Sequence, residues 1–109
     1  MIPELTIIPV AREGVQLLVL EGEVDVSTAP ALQGAIEELS DEMPVVVDLS
    51  NLAFIDSSGL HVILGAAPAG VVYTPASNVG RVLRIIQADK AVALYEDAPT
   101  AIRAVTGGA

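Results

Sequence analysis

Cysteine is absent from this 109-residue chain, tryptophan is absent too, and the aromatic residues are one Phe and two Tyr. Lack of cysteine excludes disulfides and thiolate metal sites and fits a reducing compartment, so a cytoplasmic location is expected. With so few rings, the core must be built from Val, Ile, Leu and Ala. Positive charge is also scarce. Five Lys and Arg stand against fourteen Asp and Glu, a formal net charge of −9. Such a surface repels phosphate backbones, and no nucleic-acid partner is expected. The one histidine, His61, has no second His or Cys to complete a metal site, and nothing calls for a cofactor. A phosphate-binding loop ending in Gly-Lys-Ser/Thr is missing, as is a Gly-x-Ser-x-Gly elbow, which argues against nucleotide hydrolysis and acyl transfer.

Long apolar runs are missing as well. The stretch Ser57–Gly80 carries no formal charge, but Gly59, Gly65, Pro68, Gly70, Pro75 and Gly80 interrupt it. A membrane span needs about 20 predominantly apolar residues without such breaks. The opening Met1–Leu5 shows no basic region leading into an apolar run, so no signal peptide is expected.

What the chain does have is a 52% share of apolar residues, enough for one globular domain with a modest core. Leu5–Val10 alternates loosely and carries Pro9, with Pro3 just ahead, the pattern of an edge strand. Arg12-Glu13-Gly14 is a turn signal, and Val15–Leu20 reads as an interior strand pairing back as a hairpin. The acidic segment Glu21–Asp25 leads out of it. Ser27 or Thr28 is placed to cap a helix with Pro30 in its first turn and an apolar stripe of Leu32, Ala35, Ile36 and Leu39. Val45–Leu49 is a short apolar run, the pattern of a strand buried on both faces. After a second helix come a short strand at Val71–Tyr73 and a helix capped by Ser77, with Val79, Val82, Leu83 and Ile86 as its stripe. Gln87–Lys90 is a turn, Val92–Tyr95 a last strand, and Asp97 the cap of a final helix. Strands and helices alternate after an opening hairpin, which predicts an α/β domain with a mixed, mainly parallel sheet.

The second helix begins at Asp56-Ser57-Ser58-Gly59, a cluster of cap-type residues, followed by Leu60, Ile63 and Leu64 at helical spacing. A helix start carries unpaired N–H groups and partial positive charge, so it can hold an anion, and a serine hydroxyl there is well placed to carry a phosphate. By itself the cluster reads first as a plain helix cap. Pro68 predicts that this helix ends by about Ala67. Asp25 and Asp48 read from spacing alone as structural or solvated acids, and His61 as a half-exposed surface residue.

Taken together, these residues resemble the STAS domain of bacterial anti-sigma factor antagonists. Gly22-Glu23-Val24-Asp25 through Thr28-Ala29 is similar to an early segment of that family. Val47-Asp48-Leu49-Ser50 through Phe54-Ile55-Asp56-Ser57-Ser58-Gly59-Leu60 matches its central block almost letter for letter. Val82-Leu83-Arg84-Ile85, Asp89-Lys90 and Tyr95-Glu96-Asp97 resemble its later pattern. The resemblance implies a STAS domain over residues 1–106 with a frayed tail at 107–109. It implies a non-catalytic regulator that binds an anti-sigma factor doubling as a GHKL-type serine kinase, and so releases the sigma factor. Phosphorylation by that kinase falls on Ser58, and a serine phosphatase resets it. Asp25 and Asp56 become partner contacts, with Ser57, Ser58, Gly59 and His61 completing the surface. Two departures stand out: the helix after Ser58 is cut to two or three turns at ~3.6 residues per turn, and His61 stands where a small residue is usual. The other reading is a non-switching STAS module of a transport complex or a stress-signalling scaffold.

Overall fold

The structure is a computed structural model that describes residues 4–107. Met1–Pro3, Gly108 and Ala109 lie outside the described residues, and with them the start of the chain and most of the expected frayed tail. The chain opens on a hairpin of β1 (Leu5–Arg12) and β2 (Val15–Val24). Glu13 and Gly14 both take positive φ, 52° and 84°, which is the two-residue turn whose twist suits paired strands. Arg12 therefore faces Val15, and the ladder counts back from there to Leu5 opposite Gly22. One step beyond, the Glu23 N–H donates to the Glu4 carbonyl at 2.6 Å. In an antiparallel ladder hydrogen-bonded pairs alternate with non-bonded ones, so the even-numbered residues of β1 bond inward to β2. Pro9 falls in the other set, where its missing N–H costs no ladder bond.

The sheet has five strands in the order β1-β2-β3-β4-β5, antiparallel between β1 and β2 and parallel elsewhere, as the alternation of elements predicts. The remaining strands are β3 (Val45–Ile55), β4 (Gly70–Val72) and β5 (Leu94–Tyr95). Helices α1 (Ala29–Glu37), α2 (Ser57–Ala66), α3 (Asn78–Ile85) and α4 (Ala98–Val105) complete it, with a single 3₁₀ turn at Ala88–Lys90. One face of the sheet, through Leu18, Leu20, Val47, Leu49 and Val71, packs against Leu32 of α1, Leu60 and Ile63 of α2, and Val79 and Leu83 of α3. On the opposite face Leu17, Val46 and Val72 pack against Ala101 and Ile102 of α4. Both faces of the inner strands are thus covered, which is why their apolar residues run together instead of alternating.

Several boundaries differ from the sequence reading. Strand β2 does not end at Leu20 but continues to Val24, its Glu21 and Glu23 exposed while Leu20 and Val24 stay buried. Gly22, at φ 100°, sits so close to the Glu4 carbonyl that no Cβ fits there. Strand β3 continues past Leu49 to Ile55. It does so through two bulges: Val19 pairs with Asp48 but Glu21 with Asn51, and Gly22 with Leu52 but Glu23 with Phe54. Each bulge puts one extra residue into β3 and breaks the period of two. Of the two readings left open for Asp48, structural or solvated, the structure bears out the first. Asp48 is buried within β3, its Oδ1 accepting from the Ser50 N–H at 2.9 Å and the Ser50 hydroxyl at 2.6 Å. Thr28 stands at the α1 cap position but its side chain makes no cap bond. Ile86 is not in the α3 stripe: the helix ends at Ile85, Gln87 turns left-handed, and Ile86 is left exposed. The last strand is only Leu94–Tyr95, with Val92 buried ahead of it.

The other caps fall where the sequence puts them. Asp56 Oδ1 accepts from the Gly59 N–H at 3.1 Å, Ser77 Oγ from the Gly80 N–H at 2.9 Å, and Asp97 Oδ1 from the Thr100 N–H at 2.7 Å. Helix α2 stops at Ala66, with Ala67 left-handed at φ 48° and Pro68 behind it. No helix among the described residues is long and apolar enough to cross a membrane.

Candidate functional site

Parallel pairing of β2 and β3 brings their carboxyl ends to one edge of the sheet. The Asp56 N–H donates to the Val24 carbonyl at 3.1 Å, so the loop after β2 and the start of α2 lie side by side. Asp25 and the Asp56–Ser58 segment, distant in sequence, therefore form one surface.

Within the β2–α1 loop, Asp25 organises the turn. Its Oδ1 accepts from the Ser27 hydroxyl at 2.7 Å, the Ser27 N–H at 2.9 Å and the Thr28 N–H at 3.1 Å. The Ser27 hydroxyl, then the Thr28 N–H, hold the Asp25 carboxyl below its ordinary range, because each bond favours the charged form. Thr28 is buried, and its hydroxyl donates to the Glu23 carbonyl at 3.1 Å while accepting from the Asp25 N–H at 2.9 Å. That tether replaces the capping role expected of Thr28. Between these residues Val26 is pushed out, 74% exposed.

At the start of α2 the capping is done by Asp56, whose extended backbone (φ −108°, ψ −173°) turns its carboxylate onto the Gly59 N–H. Ser57 and Ser58 follow in the first turn, where helix N–H groups lack intrahelical partners. Ser57 is exposed and Ser58 half-buried, somewhat less open than the exposed position expected for it, yet at the surface and not beneath the sheet. Among the described residues the Ser58 hydroxyl is bonded to neither His61 nor a carboxylate, and Asp56 leaves it no cap to make. His61, one turn on, is exposed. Gly59 is itself buried: a Cβ there would lie 2.6 Å from Val24 Cγ1 and 2.8 Å from Ile55 Cγ1. It lets the helix start seat directly on the end of β2.

Acids dominate the rim. Asp25, Asp56 and Glu23 lie at this edge, and Glu4 Oε2 accepts from the Ser27 hydroxyl at 3.3 Å. Three contributors escape sequence reasoning. Thr28 reads as a cap, and neither the exposed Val26 nor Phe54, 45% exposed just ahead of Asp56, is singled out by any pattern. Only a bulge count shows that Phe54 turns outward.

A family profile described as STAS domain matches residues 6–69. A protein named anti-sigma-F factor antagonist RsfB, from Mycobacterium tuberculosis (strain ATCC 25618 / H37Rv), is 30% identical over 112 residues, 95% of this chain and 92% of that one. Among solved structures, an anti-sigma factor antagonist from Mycobacterium paratuberculosis superposes with a TM-score of 0.84 at 31% identity, covering 94% of both chains. The anti-sigma factor antagonist SpoIIAA in its unphosphorylated form gives a TM-score of 0.63 at 19% identity over 94% of this chain and 99% of that one, a likeness of fold.

Proposed function

The chain belongs to the STAS domain family, and from that premise we propose that it is an anti-sigma factor antagonist switched off by phosphorylation at Ser58. Unphosphorylated, it binds an anti-sigma factor that is also a GHKL-type serine kinase, and the sigma factor is released. A serine phosphatase restores the free hydroxyl, and the cycle runs in the cytoplasm. The protein is substrate and regulator, not catalyst.

One observation carries this reading: the Ser58 hydroxyl stands at the surface in the first turn of α2, and Asp56 performs the capping. Ser58 is therefore free to accept a phosphoryl group without loss of a structural bond. The added group brings about −1.5 to −2 charge at neutral pH. Toward the fold it is benign, because the unpaired N–H groups and helix dipole favour an anion there by typically 0.3–1 kcal/mol. Toward a partner it is not. Beside Asp25 and Asp56 it adds bulk and like charge to a surface that must be desolvated on binding. Asp25, Asp56, Ser57, Ser58 and His61 supply the contact surface, with Gly59 seating it.

The test is titration of the anti-sigma partner with wild type, phosphorylated wild type, Ser58→Ala, Ser58→Asp and Asp25→Asn, with circular dichroism as folding control. Ser58→Ala is expected to bind constitutively and accept no phosphate. Ser58→Asp should weaken binding less than phosphate does, having one charge and another shape. Asp25→Asn should reduce recognition in a folded protein. If folded Ser58→Ala bound no better than the phosphorylated chain, phosphate at Ser58 would not be the off-signal, and a non-switching transport or scaffold module would take its place.

A further inference from the structure

We propose that the cleft between the end of β3 and α3 is a second docking surface, one that takes an acidic protein segment carrying a bulky apolar anchor. The cleft encloses about 270 Å³ and is lined by Phe54, Ile55, Asn78, Arg81 and Val82. Its geometry follows from β3 outrunning its neighbour. Strand β4 pairs only with Val46–Asp48, so the later half of β3 has α3 beside it instead of a strand. The second bulge, at Ala53, then turns Phe54 outward, where it remains 45% exposed. On the helix side Ile85, one turn after Arg81, is 72% exposed. Ile85 lies beyond the lining, so the apolar surface of the groove itself is that of Phe54, Ile55 and Val82, and an exposed ring at a groove marks an interaction site.

Charge selects the occupant. Of five basic residues in a chain of net charge −9, Arg81, Arg84 and Lys90 fall on α3 and the turn that follows it. Arg81 donates to Asn78 Oδ1 at 2.9 Å and Arg84 to the Pro75 carbonyl at 2.5 Å. Among the described residues neither guanidinium has a carboxylate partner, so both keep their charge for something outside the chain. Arg81 is the one charged side chain in the lining, so the cleft itself is basic, while Glu23, paired with Phe54 in the ladder, lies outside it. An acidic segment is drawn to the α3 wall by Arg81, which sets its apolar anchor against Phe54 and Val82. This surface does not include Ser58 but shares Phe54 with the rim of that site, and Arg81 and Asn78 on α3 set it apart.

The test is a nuclear magnetic resonance titration of the full isotopically labelled chain. The probe is a capped synthetic peptide of Asp and Glu with one central Phe, beside a control in which every acid is Lys. The expected result is saturable shifts centred on Phe54, Asn78, Arg81, Val82 and Ile85 with the acidic peptide alone. Arg81→Glu and, separately, Phe54→Ala should each weaken it about tenfold, about 1.4 kcal/mol. Arg103→Glu, on α4 across the sheet, should leave it unchanged. The proposal is overturned by shifts that fail to saturate below about 5 mM, that spread over the surface, or that survive Arg81→Glu. Equal binding of the Lys peptide would overturn it too, as would a response to anionic vesicles with none to the peptide.

Discussion

Two glycines in the same helix should respond in opposite directions to the same substitution. In Gly59→Ala the new Cβ arrives 2.6 Å from Val24 Cγ1, 2.8 Å from Ile55 Cγ1 and 3.0 Å from Val24 Cβ. Carbon atoms prefer about 3.5–4.0 Å, so the overlap approaches 1 Å against two side chains at once. Neither can yield easily, since Val24 is 0% and Ile55 3% exposed and both are stiff at χ1. Overpacking of this kind costs about 1–3 kcal/mol, while Ala over Gly inside a helix returns at most about 1 kcal/mol. The net expectation is a loss of about 1 kcal/mol, a fall in Tm of about 4–8 °C for a domain near this size. Gly65→Ala meets nothing within 4 Å and so shows the helix preference alone, a gain of about 0.5–1 kcal/mol and a higher Tm. Thermal unfolding followed by circular dichroism, with a second probe to check two-state behaviour, reads both. If Gly59→Ala proved as stable as Gly65→Ala, the close seating of α2 on Val24 would be refuted. The damage should also reach function, because the Val24 carbonyl holds the Asp56 N–H.

Asp56→Ala removes the α2 cap and should lower stability by about 1 kcal/mol in urea, whereas Ser58→Ala should stay within about 0.5 kcal/mol of wild type; equal losses would mean that Ser58 shares the cap. Asp25 titrates below its ordinary value of 3.8, so the stability it lends is fully present above that pH and is lost as pH falls through the lowered folded value. Asp25→Asn should accordingly flatten the acid limb of a stability–pH profile below about pH 4, and a limb of unchanged slope would show that the Ser27 and Thr28 bonds do not hold the carboxylate.

What the sequence made legible was local. Ser77, Asp97 and Asp56 cap helices through bonds to residues three ahead, and Pro68 stops α2, so short-range rules suffice. The turn at Glu13-Gly14 and the edge placement of β1 belong to the same class. What stayed hidden depends on partners far along the chain. Strand β3 past Leu49 could not be seen because its two bulges spoil the alternation that would advertise it. Gln16, a lone polar residue in β2, holds the α1–β3 loop through the Ser40 and Met43 carbonyls, a contact across more than twenty residues. The pairing of Asp25 with the Ser58 segment rests on the Val24–Asp56 bond, which no periodicity carries. There the motif resemblance brought the two together on one surface, and the geometry supplies the reason: parallel strands ending at one edge.

The two outer strands of the sheet have a consequence of another kind. A free strand edge can pair one copy of a chain with another. Open strand edges invite such pairing. Strand β5 offers only two residues, too short a template. Strand β1 is eight residues long and almost uncharged, the more dangerous of the pair, but Pro9 sits among its outward-facing positions and leaves a gap in the middle of the free donors. An incoming strand would lose a bond at the centre of its register, where pairing must begin. A single imino acid at the rim thus makes β1 a poorer template for a second copy of the chain.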